Sequence, residues 1–543
     1  MQAGRGEEAE KLLRSALSTE PRRPDTLAML ANLLRGRGNF VEARKLARRA
    51  VKLDPRYVPG WHSLGLLLHA MGDQRQALQS ARKLTSLAPT FAAGWELLAA
   101  IEQKLDQPEL AIAACRNGLK HIPDAARLHY SLGQLLRQEA DFEAAAGAYQ
   151  SALDRGFHSP DLYRNQAEAW LDAGEPERAA AVAADGVERF PGDAMLHRTL
   201  ARLNWESGVA GDPLERLRTA VNEEPANVAL WYTLAQLMER LGRDQEATAV
   251  LAEAAERGCP DTPELGILRA QDSARGGESA SATGQFESLL QTYPGHPDLQ
   301  LAFAGHLLGA GDPTRAEALC ARVLEARPFD QLALAYRGTA WQLLEDPRER
   351  LLLDYEQMVR PVQVPPPAGY ASTDAFFEEV KDALESLHQT QAHPIEQSVR
   401  GGTQTNGYLF RLKHPLLRVL ETQIREAIGT VLADFPNDPQ HPFWGRRAGR
   451  KGADALRFAG AWSVSLRSEG YHTNHIHNEG WISSALYVAL PDVVGEKTGK
   501  QGHIQFGVPM SELGTLCEEL PARRTIRPQV GTLVLFPSYM WHG

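Results

Sequence analysis

The chain has 543 residues, 43% hydrophobic and 23% charged, with 58 Lys plus Arg against 68 Asp plus Glu for a formal charge of −10. Such a chain can bury a sizeable core, which excludes collagen-like, disordered and disulfide-scaffold classes, and the lack of a basic block argues against a nucleic-acid binder. The cysteines Cys115, Cys259, Cys320 and Cys517 are scattered without a CxxC pair, and no apolar run is long enough to span a bilayer, so a reducing, cytoplasmic compartment is expected, with no membrane contact.

From the N-terminus, prolines keep time. Pro21, Pro55, Pro89 and Pro123 are evenly spaced, Phe157 takes the next step, Pro191 and Pro225 resume it, and Pro260, one residue late, is followed in register by Pro294 and Pro328. The interval is 34 residues. Between prolines lie two amphipathic helical patterns separated by a turn, with Gly38, Gly72, Gly174, Gly208 and Gly242 at the turns. A period of this length predicts stacked helical hairpins, none of which folds alone.

The residues resemble the tetratricopeptide repeat. Trp61, Leu64, Gly65, Ala77 and Pro89 fill its pattern in one repeat; Trp95, Leu98, Ala99, Ala111 and Pro123 fill it in the next, and Trp231, Leu234, Ala235 and Ala247 later. The expectation is an all-α solenoid over 1–345, about ten hairpins with the first incomplete, whose Trp and Leu positions serve stacking. Its concave face would hold a protein or peptide partner, and no nucleic acid.

After residue 345 the pattern changes. Pro361, Pro365, Pro366 and Pro367 mark residues 346–372 as an extended linker. Residues 372–392 and 415–434 keep helical periodicity, and from Ala459 onward short β-type runs follow: AWSVSLR, WISSALYVAL, GHIQF and GTLVLF. Helices followed by a strand meander predict an α+β domain over 373–543, a helix-backed sandwich or barrel. SVRGGTQTNG, residues 398–407, lacks the spacing of a phosphate loop and reads as a turn into a strand bordering the site.

The chemistry concentrates in the meander. His475 and His477 are two apart, so an extended strand puts both imidazoles on one face, and His542 follows a distant strand. Three ligands of this kind can take one side of a metal and leave the other open. The runs NHIHNEGWISSALYVALPD, GKQGHIQFG and IRPQVGTLVLFPSYMWHG resemble the Fe(II)- and 2-oxoglutarate-dependent oxygenases of the double-stranded β-helix (jelly-roll) fold. That resemblance implies a dioxygenase hydroxylating a protein or small molecule, Fe(II) held by His475, His477 and His542, and 2-oxoglutarate contacted by Ser483 and Tyr487. Trp462, Trp481, Phe506 and Phe536 are expected in the jelly-roll core.

Two departures from the family pattern bear on activity. His477 stands where the family carries a carboxylate, leaving Glu479 or Asp492 as alternative ligands. The family's co-substrate Arg follows the distal His by a strand, whereas this sequence runs to Gly543; Arg400, Arg457 or Arg467 would have to replace it. With the incomplete first hairpin, this leads to the expectation of a fragment truncated at both ends. The alternative is a non-catalytic tetratricopeptide scaffold with a degenerate or truncated oxygenase domain; a cupin-type metal binder is a third reading.

Overall fold

Each period folds as two helices joined by a tight turn, as in Val58–Ala70 with Gln74–Leu87 and Val228–Arg240 with Asp244–Glu256. The turn residue sits in the left-handed region at Gly38, Gly72, Gly174, Gly208, Gly242 and Gly311, and also at Asp106, Ala140 and Glu345, where no glycine relieves it. Where Trp is the fourth residue of the first helix, its indole also donates a hydrogen bond six residues back, Trp61 to Pro55 O, Trp95 to Pro89 O and Trp231 to Pro225 O, each at 2.8–2.9 Å. The stacking residue therefore also pins its hairpin to the proline that closes the previous one.

These features belong to a computed structural model, which describes the chain apart from residues 1, 389, 391, 396, 448–455, 492–493, 495–498 and 515–518. Two compact units are present, Met1–Val182 and Ala183–Gly543. The first is a helical array whose core runs through Leu64, Ala77, Leu97, Ala111 and Leu132. Gly65 matters there because a Cβ on it would meet Leu97 of the next hairpin at 2.8 Å. Of the cysteines, Cys115, Cys259 and Cys320 are buried free thiols, and Cys517 lies outside the described residues. Among the described residues, no helix is long and apolar enough to cross a membrane.

The second unit continues the hairpins through Gln331–Leu343 and adds the strand-containing domain. Its strands are β1 (Arg360–Gln363), β2 (Val399–Gln404), β3 (Val464–His472), β4 (Ile482–Leu486), β5 (Ile504–Phe506), β6 (Arg524–Ile526) and β7 (Thr532–Pro537). β7 is central to an antiparallel sheet between β1 and β4, while β2 pairs with β3 and β5 with β6. Part of the expected linker is thus built into the fold: Arg360–Gln363 pairs with Thr532–Leu535. Its Pro361 is tolerated because an edge strand need not offer every N–H.

β7 is buried along its whole length. Its residues cluster with Phe376 and Phe377 of the helix Thr373–Glu385 and with Leu420 and Ile424 of Pro415–Ala433. The same core includes Leu334, Tyr336 and Trp341 of the last repeat helix, so within this unit hairpins and strand domain share one interior. Arg524 reinforces the junction by donating to the carbonyls of Tyr355 and Glu356.

Candidate metal centre

The site forms where the chain leaving β3 meets the chain leaving β7. His475 N donates to His542 O at 2.9 Å and His542 N returns to His475 O at 3.1 Å, while His477 N donates to Ser538 O at 2.9 Å. This backbone pairing brings the three imidazoles together: one ring nitrogen from each of His475, His477 and His542 lies within 4.8 Å of the others. Ring centroids of His475 and His542 are 4.2 Å apart, and Nε2 of His477 and His542 approach to 3.2 Å.

Hydrogen bonds select which nitrogen is offered. His542 Nδ1 lies 2.9 Å from Met540 O and His475 Nδ1 2.8 Å from Thr473 O. A carbonyl only accepts, so each Nδ1 carries the proton and each Nε2 keeps its lone pair. The acid range of all three is displaced downward. Burial and the neighbouring His475 and His472 push His477 to about 4; burial, then His475 and His477, hold His542 well below its ordinary value; burial lowers His475. Near pH 7 the set is therefore neutral, as metal ligation requires.

Ser483 on β4 is buried and its Oγ lies 2.9 Å from Ser538 Oγ. Tyr487, just past β4 and on the same face as Ser483, has a phenol pushed up to about 12 by burial. Phe506 and Phe536 are buried, with the Phe536 ring 4.4 Å from that of His542, and Trp481 donates its indole N–H to Phe443 O. Trp462 departs from the core expectation: it is 38% exposed and stacks on His477 at 5.7 Å.

Of the alternative ligands, Glu479 is exposed and outside the triad, and Asp492 lies outside the described residues. Arg400 directs Nη1 to the carbonyls of Gln397 and Val399. Two residues at the site escaped the sequence reading. Ser398 Oγ lies 3.0 Å from His472 Nδ1 and 3.3 Å from His475 Nε2, and His472 stacks on His475 at 5.9 Å. His472 could have been noticed as a third imidazole in YHTNHIH. Ser398 carries no local signal, since only the β2–β3 pairing delivers it.

Comparison with known proteins finds matches to both parts of the chain. Residues 460–543 match the family described as "Putative 2OG-Fe(II) oxygenase". Tetratricopeptide-repeat families match residues 1–66 and 277–337, 58–91, 98–160 and 130–194, and 228–272. No curated protein matches the chain. Among solved structures, MamA is 20% identical over 32% of this chain and 94% of its own, with a TM-score of 0.29. YrrB, described as a TPR protein with an unusual peptide-binding site, is 17% identical over 34% of this chain and 94% of its own, with a TM-score of 0.28. A tetratricopeptide repeat protein from Parabacteroides merdae ATCC 43184 is 16% identical over 52% of this chain and 97% of its own, with a TM-score of 0.30.

Proposed function

We propose that this chain, a tetratricopeptide-repeat protein with a C-terminal domain of the 2OG-Fe(II) oxygenase family, is a dioxygenase that hydroxylates a substrate at the His475, His477 and His542 centre. The observation carrying this reading is the convergence of three neutral imidazoles, two with their tautomers set by backbone carbonyls. Such a donor set fits Fe(II). When bound, Fe(II) together with 2-oxoglutarate supplies oxygen activation, the co-substrate leaving as succinate and carbon dioxide.

The chain's own residues would do the rest. His475, His477 and His542 hold the ion on one side, and Phe506 and Phe536 keep water from the His542 side. Three imidazoles bring no negative charge, so a dianionic co-substrate suits this site better than it would a carboxylate-bearing one. Ser483 and Tyr487 on one face of the strand would hydrogen-bond that dianion, and the Tyr487 phenol keeps its proton to donate across the neutral pH range. Trp462, exposed above His477, is positioned to meet the substrate first.

In this reading the oxygenase domain takes in residues 373–543 with a double-stranded β-helix core. The array over 1–345 recruits a protein or peptide on its concave face. The test is conversion of 2-oxoglutarate to succinate by the full chain with Fe(II) and ascorbate. Turnover that vanishes in His475→Ala supports the reading. Equal turnover in both proteins contradicts it.

A further inference from the structure

The segment Ser538–His542 is fastened on two sides. Ser538 Oγ meets Ser483, and the His542 ring joins the triad. Between them, the alternate residues engage other groups: Tyr539 OH donates to Leu352 O at 3.0 Å, and Trp541 Nε1 donates to Thr339 Oγ1 at 3.0 Å. Thr339 belongs to the last repeat helix, Gln331–Leu343. Its hydroxyl proton is committed to Ala335 O at 3.0 Å, so its oxygen is left to accept the indole N–H. Tyr336, one turn earlier, stacks on the same indole with centroids 6.1 Å apart. Thr339 is 1% and Trp541 2% exposed, so the bond lies away from bulk solvent.

We infer that Thr339 of the repeat array is a positioning residue for the metal ligand His542. Trp541 is covalently adjacent to His542, and the His542 Nδ1 proton is held by Met540 O. The direction of the indole therefore fixes the backbone from which the imidazole projects. A shift of that indole would move Nε2 relative to His475 and His477, and ligand geometry tolerates little such movement. The last hairpin is thus part of the support of the metal centre, in addition to any recruiting role of the array. The inference rests on reading His542 as a ligand.

The experiment compares Co(II) titrations of the full chain, followed by visible absorption, with thermal melting of the same samples. Thr339→Val removes the acceptor at nearly constant volume, and Trp541→Phe removes the donor from the other side. Each is expected to weaken Co(II) about 10-fold and shift its absorption band, the low end of what changing a ligating histidine's own partner costs, because the effect reaches His542 through Trp541, while Thr339→Ser restores both. Lower melting temperatures in Thr339→Val or Trp541→Phe with unchanged affinity and band would overturn the inference and leave a packing role. His542→Ala separates the two claims. Retained Co(II) affinity in that variant would remove the metal centre and the inference with it, whereas loss there with no effect of Thr339→Val would overturn the inference alone.

Discussion

The array of the first unit and the strand domain of the second build their interiors by different means. In the array, Leu64, Ala77, Leu97 and Ala111 pack against residues a few tens of positions away, and the same contact recurs in the next hairpin. In the strand domain, His475 meets His542, Arg360–Gln363 meets Thr532–Leu535, and Ser398 meets His472, each contact made once. A repeated contact can lose one copy locally. A contact made once takes the site with it.

The largest expected effect follows from that difference. His542→Ala should lower metal affinity by at least about 100-fold, since the variant loses a ligand where even outer-shell changes cost 10–100-fold; isothermal titration with Co(II) measures it. A variant that binds as tightly as the parent would mean the imidazoles are a packing cluster. Next is a pair of core truncations. Phe536→Ala should cost about 3–5 kcal/mol and weaken metal binding, because its ring packs on His542. Leu97→Ala in the first unit should cost about 2–5 kcal/mol and leave metal binding untouched. Denaturant unfolding with parallel titrations would break the comparison if both, or neither, altered the metal.

How much of this was legible follows the same division. The array was readable because the proline interval states each position's role several times, and Asp106, Ala140 and Glu345 hold the turn backbone even where glycine is missing. Strands β4, β5 and β7 were readable from their apolar runs. β1 was not, because its prolines point to a linker until pairing with β7 is known. The triad was visible because two of its members are two residues apart, although they lie in the chain just past β3 rather than on a strand. Ser398 and Thr339 were not, because what places them beside the site is tertiary pairing, which leaves no trace in local spacing.

Acid should act on the units unequally. Free histidine titrates near 6.5, whereas burial holds His472 and His477 to about 4 and His542 well below its ordinary value. Between those limits the unfolded chain binds more protons than the folded one, so stability falls as pH drops from 6.5 towards 4 and is flat above. The first unit has His62 displaced in the same direction but no such cluster among its described residues. Hydrogen exchange across that range should show protection lost first around β3, β4 and β7; simultaneous loss in both units would contradict the account. The smallest effect is Ala140→Gly, which relieves a left-handed turn residue and should raise the stability of the first unit by about 0.5–1 kcal/mol in denaturant unfolding.

The central claim is that His475, His477 and His542 form an Fe(II) site that also takes 2-oxoglutarate. Anaerobic Fe(II) titration of the full chain, with and without 2-oxoglutarate, tests it through the visible charge-transfer absorption of the ternary complex. The account predicts a band that needs both components and is absent in His475→Ala. Iron bound with no band in the presence of 2-oxoglutarate, or a band that survives His475→Ala, would contradict it.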